Sequence, residues 1–272
     1  MKARQALSTA AARLARGSDT ARLDAELLMA HAMGVERNAL LLSRMDDAVP
    51  AAFDALLERR LAGEPIAYIV GTRDFWSVRL KVGPGVLVPR PDSETLIEAA
   101  VDHFETSGPR TVLDLGTGPG TLLLAALAQW PHATGIGVDR SDRALAFARD
   151  NADALGLAQR AEFRCGDWTQ GLEGAFDLIL CNPPYVETAA ALPRDVAHWE
   201  PAEALFSGDD GLDDYRRLAP AIPPLIAPAG LACIEVGAGQ AGDVIRLFEE
   251  QGVIAQSRKD LNGHDRCIVI RH

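Results

Sequence analysis

Residues 111–120 read TVLDLGTGPG, and residues 122–130 read LLLAALAQW. The first five have the length and texture of a buried strand, and the last nine those of a helix. Between them, Gly116-Thr117-Gly118-Pro119-Gly120 carries a strand directly onto a helix N-terminus. Glycine permits a sharp turn and close approach of a ligand, while the free N–H groups and dipole of the helix favour a carboxylate or phosphate. Strand, glycine turn and helix in that order open a doubly wound α/β domain.

Further strand candidates follow at 134–139 (TGIGVD), 161–165 (AEFRC), 177–182 (DLILCN), 231–236 (LACIEV) and 266–270 (RCIVI), with helical segments between them. This alternation predicts a mainly parallel, Rossmann-like sheet. The second strand ends at Asp139, 23 residues after Gly116, where a carboxylate can accept hydrogen bonds from two ribose hydroxyls. Two ligands share this layout, a dinucleotide and S-adenosylmethionine. A dinucleotide fingerprint wants GxGxxG; here the spacing is GxGxG, with Thr121 next. The same glycines would also serve a tight structural turn, and Asp139 or Ser141 would also cap the next helix. Asp167 and Trp168, just past the third strand, are candidates for an adenine pocket or for plain core packing.

The sharpest signal is Asn182-Pro183-Pro184-Tyr185 at the end of the fourth strand, the edge where open α/β sheets place their ligands. Two prolines fix their own φ angles and restrict the residue before each, so the asparagine is held in a stiff, extended segment. Neither proline donates a hydrogen bond, which leaves acceptors: the Asn182 side-chain oxygen and a main-chain carbonyl, that of Pro183. Such a pair suits the two hydrogens of an NH2 group. An amide or exocyclic amine nitrogen has its lone pair delocalised and is a poor nucleophile. Two fixed acceptors favour pyramidal character there, aim the lone pair and stabilise the developing positive charge, without a strong base. Tyr185 offers a flat face for a conjugated group. Asn182, Pro183 and Tyr185 are therefore the candidate catalytic residues, and Asn182 to Tyr185, Pro184 included, the candidate substrate grip.

Outside this domain, residues 1–66 show helical apolar spacing: Leu7, Ala11 and Leu14; then Leu23, Leu27 and Ala30; then Phe53, Leu56, Leu57 and Leu61. Gly17, Gly34 and Gly63 follow these segments as helix-closing residues would, and Pro50 precedes the last. Residues 67–90 alternate apolar and polar positions in FWSVRLKV and GVLVPR, which predicts a hairpin linker turning at Gly83-Pro84-Gly85. The expected division is a helical bundle (1–66), the hairpin (67–90) and the α/β domain (91–272).

The chain of 272 residues carries a net charge of −11, distributed unevenly. Residues 1–80 hold 11 Lys or Arg against 10 Asp or Glu, and the remainder 16 against 28. An acidic catalytic part repels phosphate backbones, so nucleic acid is disfavoured as partner or substrate, and a near-neutral helical module beside it is a reasonable platform for a protein partner. No segment approaches the ~18 uninterrupted apolar residues of a membrane span, and the N-terminus lacks an apolar signal core; a cytoplasmic location is expected, without membrane. Cys165, Cys181, Cys233 and Cys267 lie far apart without zinc spacing, so they are read as reduced core thiols and no metal is expected. Arg90 and Glu94 in PRPDSE suit either an active-site rim or an ion pair at a helix start, and Glu200-Pro201 either a pocket-covering loop or plain surface. His198 and His264 have no nucleophile placed beside them and are not assigned a role.

At these motifs the sequence resembles the HemK or PrmC family of release factor glutamine methyltransferases, over essentially the whole chain. Besides Asn182 to Tyr185, the resemblance rests on residues 63–98 (GEPIAYIVGTRDFWSVRLKVGPGVLVPRPDSETLIE), 112–120 (VLDLGTGPG), 200–218 (EPAEALFSGDDGLDDYRRL) and 259–266 (KDLNGHDR). It implies a seven-stranded methyltransferase sheet, its last strand antiparallel, behind an N-terminal helical domain. It implies transfer of a methyl group from S-adenosylmethionine, leaving S-adenosylhomocysteine, to N5 of the glutamine in the Gly-Gly-Gln motif of class 1 peptide chain release factors, modulating translation termination. By the same resemblance Gly116, Thr117, Gly118, Pro119, Gly120, Asp139, Trp168 and Asn182 match cofactor contacts, and Asn182 to Tyr185 the substrate grip. Pro119 stands where the family often has a small hydroxyl residue, and Cys181 where it commonly has serine. The competing readings are a glutamine of a ribosomal protein, an adenine or cytosine amino group of nucleic acid, and a nicotinamide-dependent oxidoreductase.

Overall fold

The computed structural model describes residues 1–105 and 107–272. They form two compact units, Met1–Thr72 with Leu192–Glu200, and Arg73–Ala191 with Pro201–His272.

The first unit is helical: Ala3–Leu14, Ala21–Met33, Ala52–Leu61 and Ile66–Val70, with a wider turn at Leu40–Arg44. Leu7, Leu14, Leu28, Met29, Leu40, Phe53 and Leu57 form its core. The second helix buries only part of the expected face: Ala30 is buried and Leu27 partly so, but Leu23 is 40% exposed, while Ala25, Leu28 and Met29 point inward. Charge sets that rotation. Asp24 is almost buried and accepts from Arg60, Ser18 and Thr20, and Glu26 pairs with Arg22 and Arg37. A buried carboxylate so satisfied holds its side of the helix inward. Gly34 closes this helix in the left-handed conformation; Gly17 does not adopt it.

The second unit begins with a two-stranded ribbon, β1 (Thr72–Phe75) and β2 (Val78–Lys81), Thr72 being the last residue of the first unit. The turn of the hairpin is therefore Trp76-Ser77; the chain also turns at Gly83-Pro84-Gly85, as the sequence predicts, but that turn joins no second strand. Trp76 turns at φ +53°, and its N–H donates to Glu94 Oε1 at 2.8 Å. Residues 85–90 form no strand: Pro84 and Pro89 remove ladder donors, and Val86 and Val88 are buried outside any strand, with Val86 N–H donating to the Gly83 carbonyl at 3.3 Å.

Seven strands then form one sheet: β3 (Thr111–Leu115), β4 (Thr134–Asp139), β5 (Ala161–Cys165), β6 (Phe176–Cys181), β7 (Ile226–Glu235), β8 (Ile254–Lys259) and β9 (Asp265–Arg271), in the order β5-β4-β3-β6-β7-β9-β8. All pairs are parallel except those of β9, which runs antiparallel to both neighbours. Side chains alternate between two cores, as strands covered on both faces require. Val112, Leu178, Leu180 and Cys233 meet helices Glu94–Phe104 and Thr121–Gln129. Leu113, Leu115, Ile179 and Ile234 meet helices Asp213–Ala221 and Ala241–Glu249. β8 gives no sequence signal because it is an edge strand of largely polar texture, IAQSRK, with only Ala255 buried. The opposite edge, β5, carries Cys165, which is exposed and so is no core thiol; the other three cysteines are buried. Among the described residues no helix is long and apolar enough to cross a membrane.

The glycines of β4 let the helix Thr121–Gln129 approach. A methyl group on Gly135 would lie 2.5 Å from Leu123 Cδ1 and 2.9 Å from the Val112 carbonyl oxygen. The backbone oxygen cannot rotate away, so Gly135→Ala is expected to cost roughly 1–3 kcal/mol. An unchanged urea midpoint would contradict this close packing.

Candidate active site

β3 and β6 are neighbours whose onward connections run to opposite sides of the sheet, which makes the space at their carboxyl ends the topological switch point. Leu115 pairs with Cys181 in register. The next residues, Gly116 and Asn182, thus leave the sheet side by side, and the glycine turn meets the Asn-Pro-Pro-Tyr segment there.

A cleft opens at this point, at the place where open α/β sheets bind ligands. Its walls include Gly116, Gly118, Asp139, Trp168, Asn182 and Pro184. A second, smaller cavity of about 50 Å³ is lined by Arg90, Ser93, Asp114, Thr117, Pro119 and Asn182, among others. Both include Leu87, Gly116, Gly118 and Asn182.

The turn is fastened from beneath. Gly116 and Gly120 take φ of +70° and +86°, which other residues rarely adopt. Gly120 lines neither cavity; it lets the turn sit on Leu124 and Ala148. Thr117 is buried with its hydroxyl on Asp114 Oδ2 at 2.7 Å, and Asn151 Nδ2 donates to the Pro119 carbonyl at 2.9 Å. Asn151 also pairs with the N–H and C=O of Lys81, so it joins β2 to the turn.

Asp139 accepts from Gly118 N–H and Ser141 N–H, each at 2.8 Å, with one carboxylate oxygen apiece. A second lone pair on each oxygen remains for a ligand, and burial pushes the carboxyl upward. Trp168 has φ +51°, a strained value for a tryptophan. Its Nε1 donates to Asp214 Oδ1 at 3.1 Å, and its ring passes close enough to Gly116 that an added methyl there would lie 3.1 Å away. The strain and the hydrogen bond hold a flat aromatic wall over the turn.

Asp114 bears on the fit of a cofactor. It is 1% exposed, burial pushes its carboxyl up to about 7, and among the described residues its Oδ1 has no hydrogen-bond partner. An orphaned buried acceptor beside a cavity suits a ligand ammonium group. With the ribose-competent Asp139 and the aromatic wall of Trp168, the donor and acceptor set fits an amino-acid nucleoside.

Asn182 donates from Nδ2 to Ser93 Oγ at 3.1 Å. Pro183 and Tyr185 line neither cavity. Pro183 is buried behind the wall; the Tyr185 ring lies against Gly237, and its hydroxyl donates to Glu235 Oε1 at 3.4 Å. Burial pushes that hydroxyl up to about 12. Pro201, Glu203 and Ala204 border the first cavity, with Arg140 Nη2 donating to the Glu203 carbonyl at 2.8 Å. Glu94 serves the Trp76 turn, and Asp92 pairs with Arg266 at 3.2 Å.

Sequence reasoning missed Ser93, Asp114, Asn151, Asp214 and Glu235. Asp114 and Glu235 had a signal, a lone carboxylate inside an otherwise apolar strand. The other three are polar residues on helices, or at the start of one, where nothing distinguishes them from solvated positions.

The chain matches two family models, PrmC N-terminal domain over residues 5–71 and Methyltransferase small domain over residues 92–199. A release factor glutamine methyltransferase of Rhodospirillum rubrum is 46% identical to it over 263 residues, covering 94% of this chain and 80% of that protein. Its counterpart in Cereibacter sphaeroides is 44% identical, covering 100% and 99%. Among solved structures, a T. thermophilus 16S rRNA methyltransferase in complex with AdoMet and guanosine shares the fold, with a TM-score of 0.54, 20% identity, and coverage of 74% of this chain and 50% of that one.

Proposed function

The chain belongs to the release factor glutamine methyltransferase family, and from that premise we propose that it transfers the methyl group of S-adenosylmethionine to N5 of the glutamine in the Gly-Gly-Gln motif of class 1 peptide chain release factors. The observation that carries this reading is the placement of Asn182 at the switch point, bordering both cavities, with its NH2 end spent on Ser93. Its Oδ1 is then the end left to accept.

S-adenosylmethionine supplies an electrophilic methyl group on a positively charged sulfur. Asp139 holds the ribose hydroxyls, Trp168 walls the adenine, Gly116 to Gly118 admit the amino-acid portion, and Asp114 meets its ammonium group. Pro119 and Gly120 shape the turn that seats the cofactor, Gly120 N–H donating to the Thr117 carbonyl at 2.9 Å. Asn182 Oδ1 and the Pro183 carbonyl accept the two hydrogens of the glutamine amide, Pro184 keeps the segment stiff, and Tyr185 offers its ring to the planar carboxamide. Held in this way, the nitrogen develops positive charge next to two acceptors, the step that a free amide in water cannot make cheaply. Tyr185 keeps its proton at neutral pH and so is no base; the amide proton leaves after transfer.

The helical residues 1–66 recognise the protein substrate, the ribbon region 67–90 links, and residues 91–272 carry the chemistry. A groove on the helical unit lined by Ser8, Arg13, Arg16, Arg60 and Arg194 supports a recognition role. Release factors act on ribosomes, which assigns the enzyme to the cytoplasm, without membrane or metal.

Incubation with labelled cofactor and a class 1 release factor is expected to label the wild-type substrate and spare a Gln→Ala variant of its Gly-Gly-Gln motif. Label on the variant, on a ribosomal protein alone, or on nucleic acid would overturn the assignment.

A further inference from the structure

Behind the Asn182 carboxamide stands a line of polar groups buried in the sheet. Asn182 Nδ2 donates to Ser93 Oγ at 3.1 Å, and Ser93 Oγ donates to Glu235 Oε2 at 2.5 Å. Ser93 is 2% exposed and Glu235 1%. Glu235 ends β7, whose preceding residues Leu231, Ala232, Cys233 and Ile234 are all buried and apolar. The sheet makes no use of its carboxylate, which accepts only from Ser93 and, at 3.4 Å, from Tyr185 of the same motif as Asn182; Tyr215 anchors to the Glu235 main-chain carbonyl at 2.8 Å, which any residue would provide. A carboxylate costly to bury and unnecessary to the sheet has work elsewhere.

A serine hydroxyl carries one proton. While that proton is held by the Glu235 carboxylate, Ser93 Oγ can only accept. It must then face the NH2 end of Asn182, which turns Oδ1 the other way. We propose that Ser93 and Glu235 are positioning residues, a hydroxyl–carboxylate relay whose polarity fixes Asn182 with its oxygen toward the reacting nitrogen. If Glu235 gained a proton it would donate to Ser93, Ser93 would donate to Asn182 Oδ1, and the carboxamide would turn its NH2 end outward. Two donors would then oppose each other at the substrate amide.

The relay thus makes a carboxylate that never touches substrate responsible for a pH limb. Ser93, Arg266 and Tyr185 favour its charged form, and Asp92 opposes it. Cys267, its cross-strand partner, and Cys181 and Tyr215 nearby are themselves pushed well up and stay neutral. Burial outweighs these neighbours and pushes Glu235 up to about 7. The working form is the deprotonated one, so activity is present above that pH and lost below it.

The inference rests on the proposed amide methylation, and two measurements separate the two ideas. In the first, kcat for release factor methylation is followed from pH 6 to 9. Wild type should lose activity on falling through about 7. Ser93→Ala should lower kcat roughly 10- to 100-fold at pH 8, leave KM for the cofactor within about twofold, and show no such limb; Ser93→Thr should restore both rate and limb. Glu235→Gln, nearly isosteric, should also flatten it. Asp114 is pushed up to about 7 as well but faces the cofactor, so kcat is read at saturating cofactor; a limb in kcat that survives in Ser93→Ala and Glu235→Gln overturns the relay. In the second, the Asn182 side-chain NH2 resonances are followed by NMR in the S-adenosylhomocysteine complex, assigned with Asn182→Ala. They should shift through pH 7 in wild type and not in Ser93→Ala; no shift in wild type overturns the relay whatever the substrate proves to be. A wild type that shows the shift but leaves release factors unmethylated overturns the substrate assignment and spares the relay.

Discussion

Asn182→Ala should lower single-turnover methylation by roughly 10²- to 10³-fold, about 3–4 kcal/mol of transition-state stabilisation, while affinity for S-adenosylhomocysteine changes by less than about tenfold. The asymmetry follows from where the residue stands. Its side-chain NH2 donates to Ser93, which under the proposed function leaves its acceptor for the group being methylated, whereas the cofactor would have Asp139, Trp168 and the glycine turn, which line the same cleft. Acceptors that strengthen only as the amide nitrogen gains positive charge act on the rate rather than on binding. Asn182→Asp should do no better, although it keeps an acceptor: Ser93 has already committed its one proton to Glu235, so two oxygens would oppose each other. Rapid-quench rates together with calorimetry test this; equal losses in rate and cofactor affinity would show that Asn182 serves the cofactor instead.

Asp139→Asn should weaken S-adenosylhomocysteine binding by roughly 10- to 100-fold, with kcat at saturating cofactor within about threefold of wild type. Both carboxylate oxygens already accept backbone N–H groups, from Gly118 and Ser141. An amide supplies only one acceptor, so its NH2 end must face a donor, and an N–H left unpaired costs about 1–3 kcal/mol. Because Gly118 belongs to the turn, that cost is felt where the cofactor binds. Acid should act similarly: burial pushes the Asp139 carboxyl upward, so affinity is full while it is ionised and falls as pH drops through its raised value. Unaltered affinity in Asp139→Asn would exclude a binding role.

What the sequence disclosed, it disclosed where one local rule decided the outcome. β3, β4 and β5 fall where apolar runs bounded by turns place them, and the glycine turn and Asn182 fall at the carboxyl ends of β3 and β6 because parallel strands bring such ends together. The ribbon lies elsewhere than predicted because alternation does not say which segments join a ladder, and prolines 84 and 89 keep the later segment from forming a strand. β8 was invisible because an edge strand needs little apolar side chain. The second helix turned because charged residues can face inward when their partners lie far along the chain, as Arg60 does for Asp24. Ser93 and Glu235 meet across 142 positions of sequence, a distance over which spacing carries no information.

Asn151 reads two stretches of main chain at once, the Lys81 peptide on one side and the Pro119 carbonyl on the other. A surface hairpin ordinarily absorbs insertions without harm, because nothing measures its length. This one is measured. Adding or removing a single residue between Phe75 and Lys81 would slide a different peptide under the Asn151 carboxamide and tug on the glycine turn, so under the proposed function a length change in the ribbon would become an error in the seating of the methyl donor.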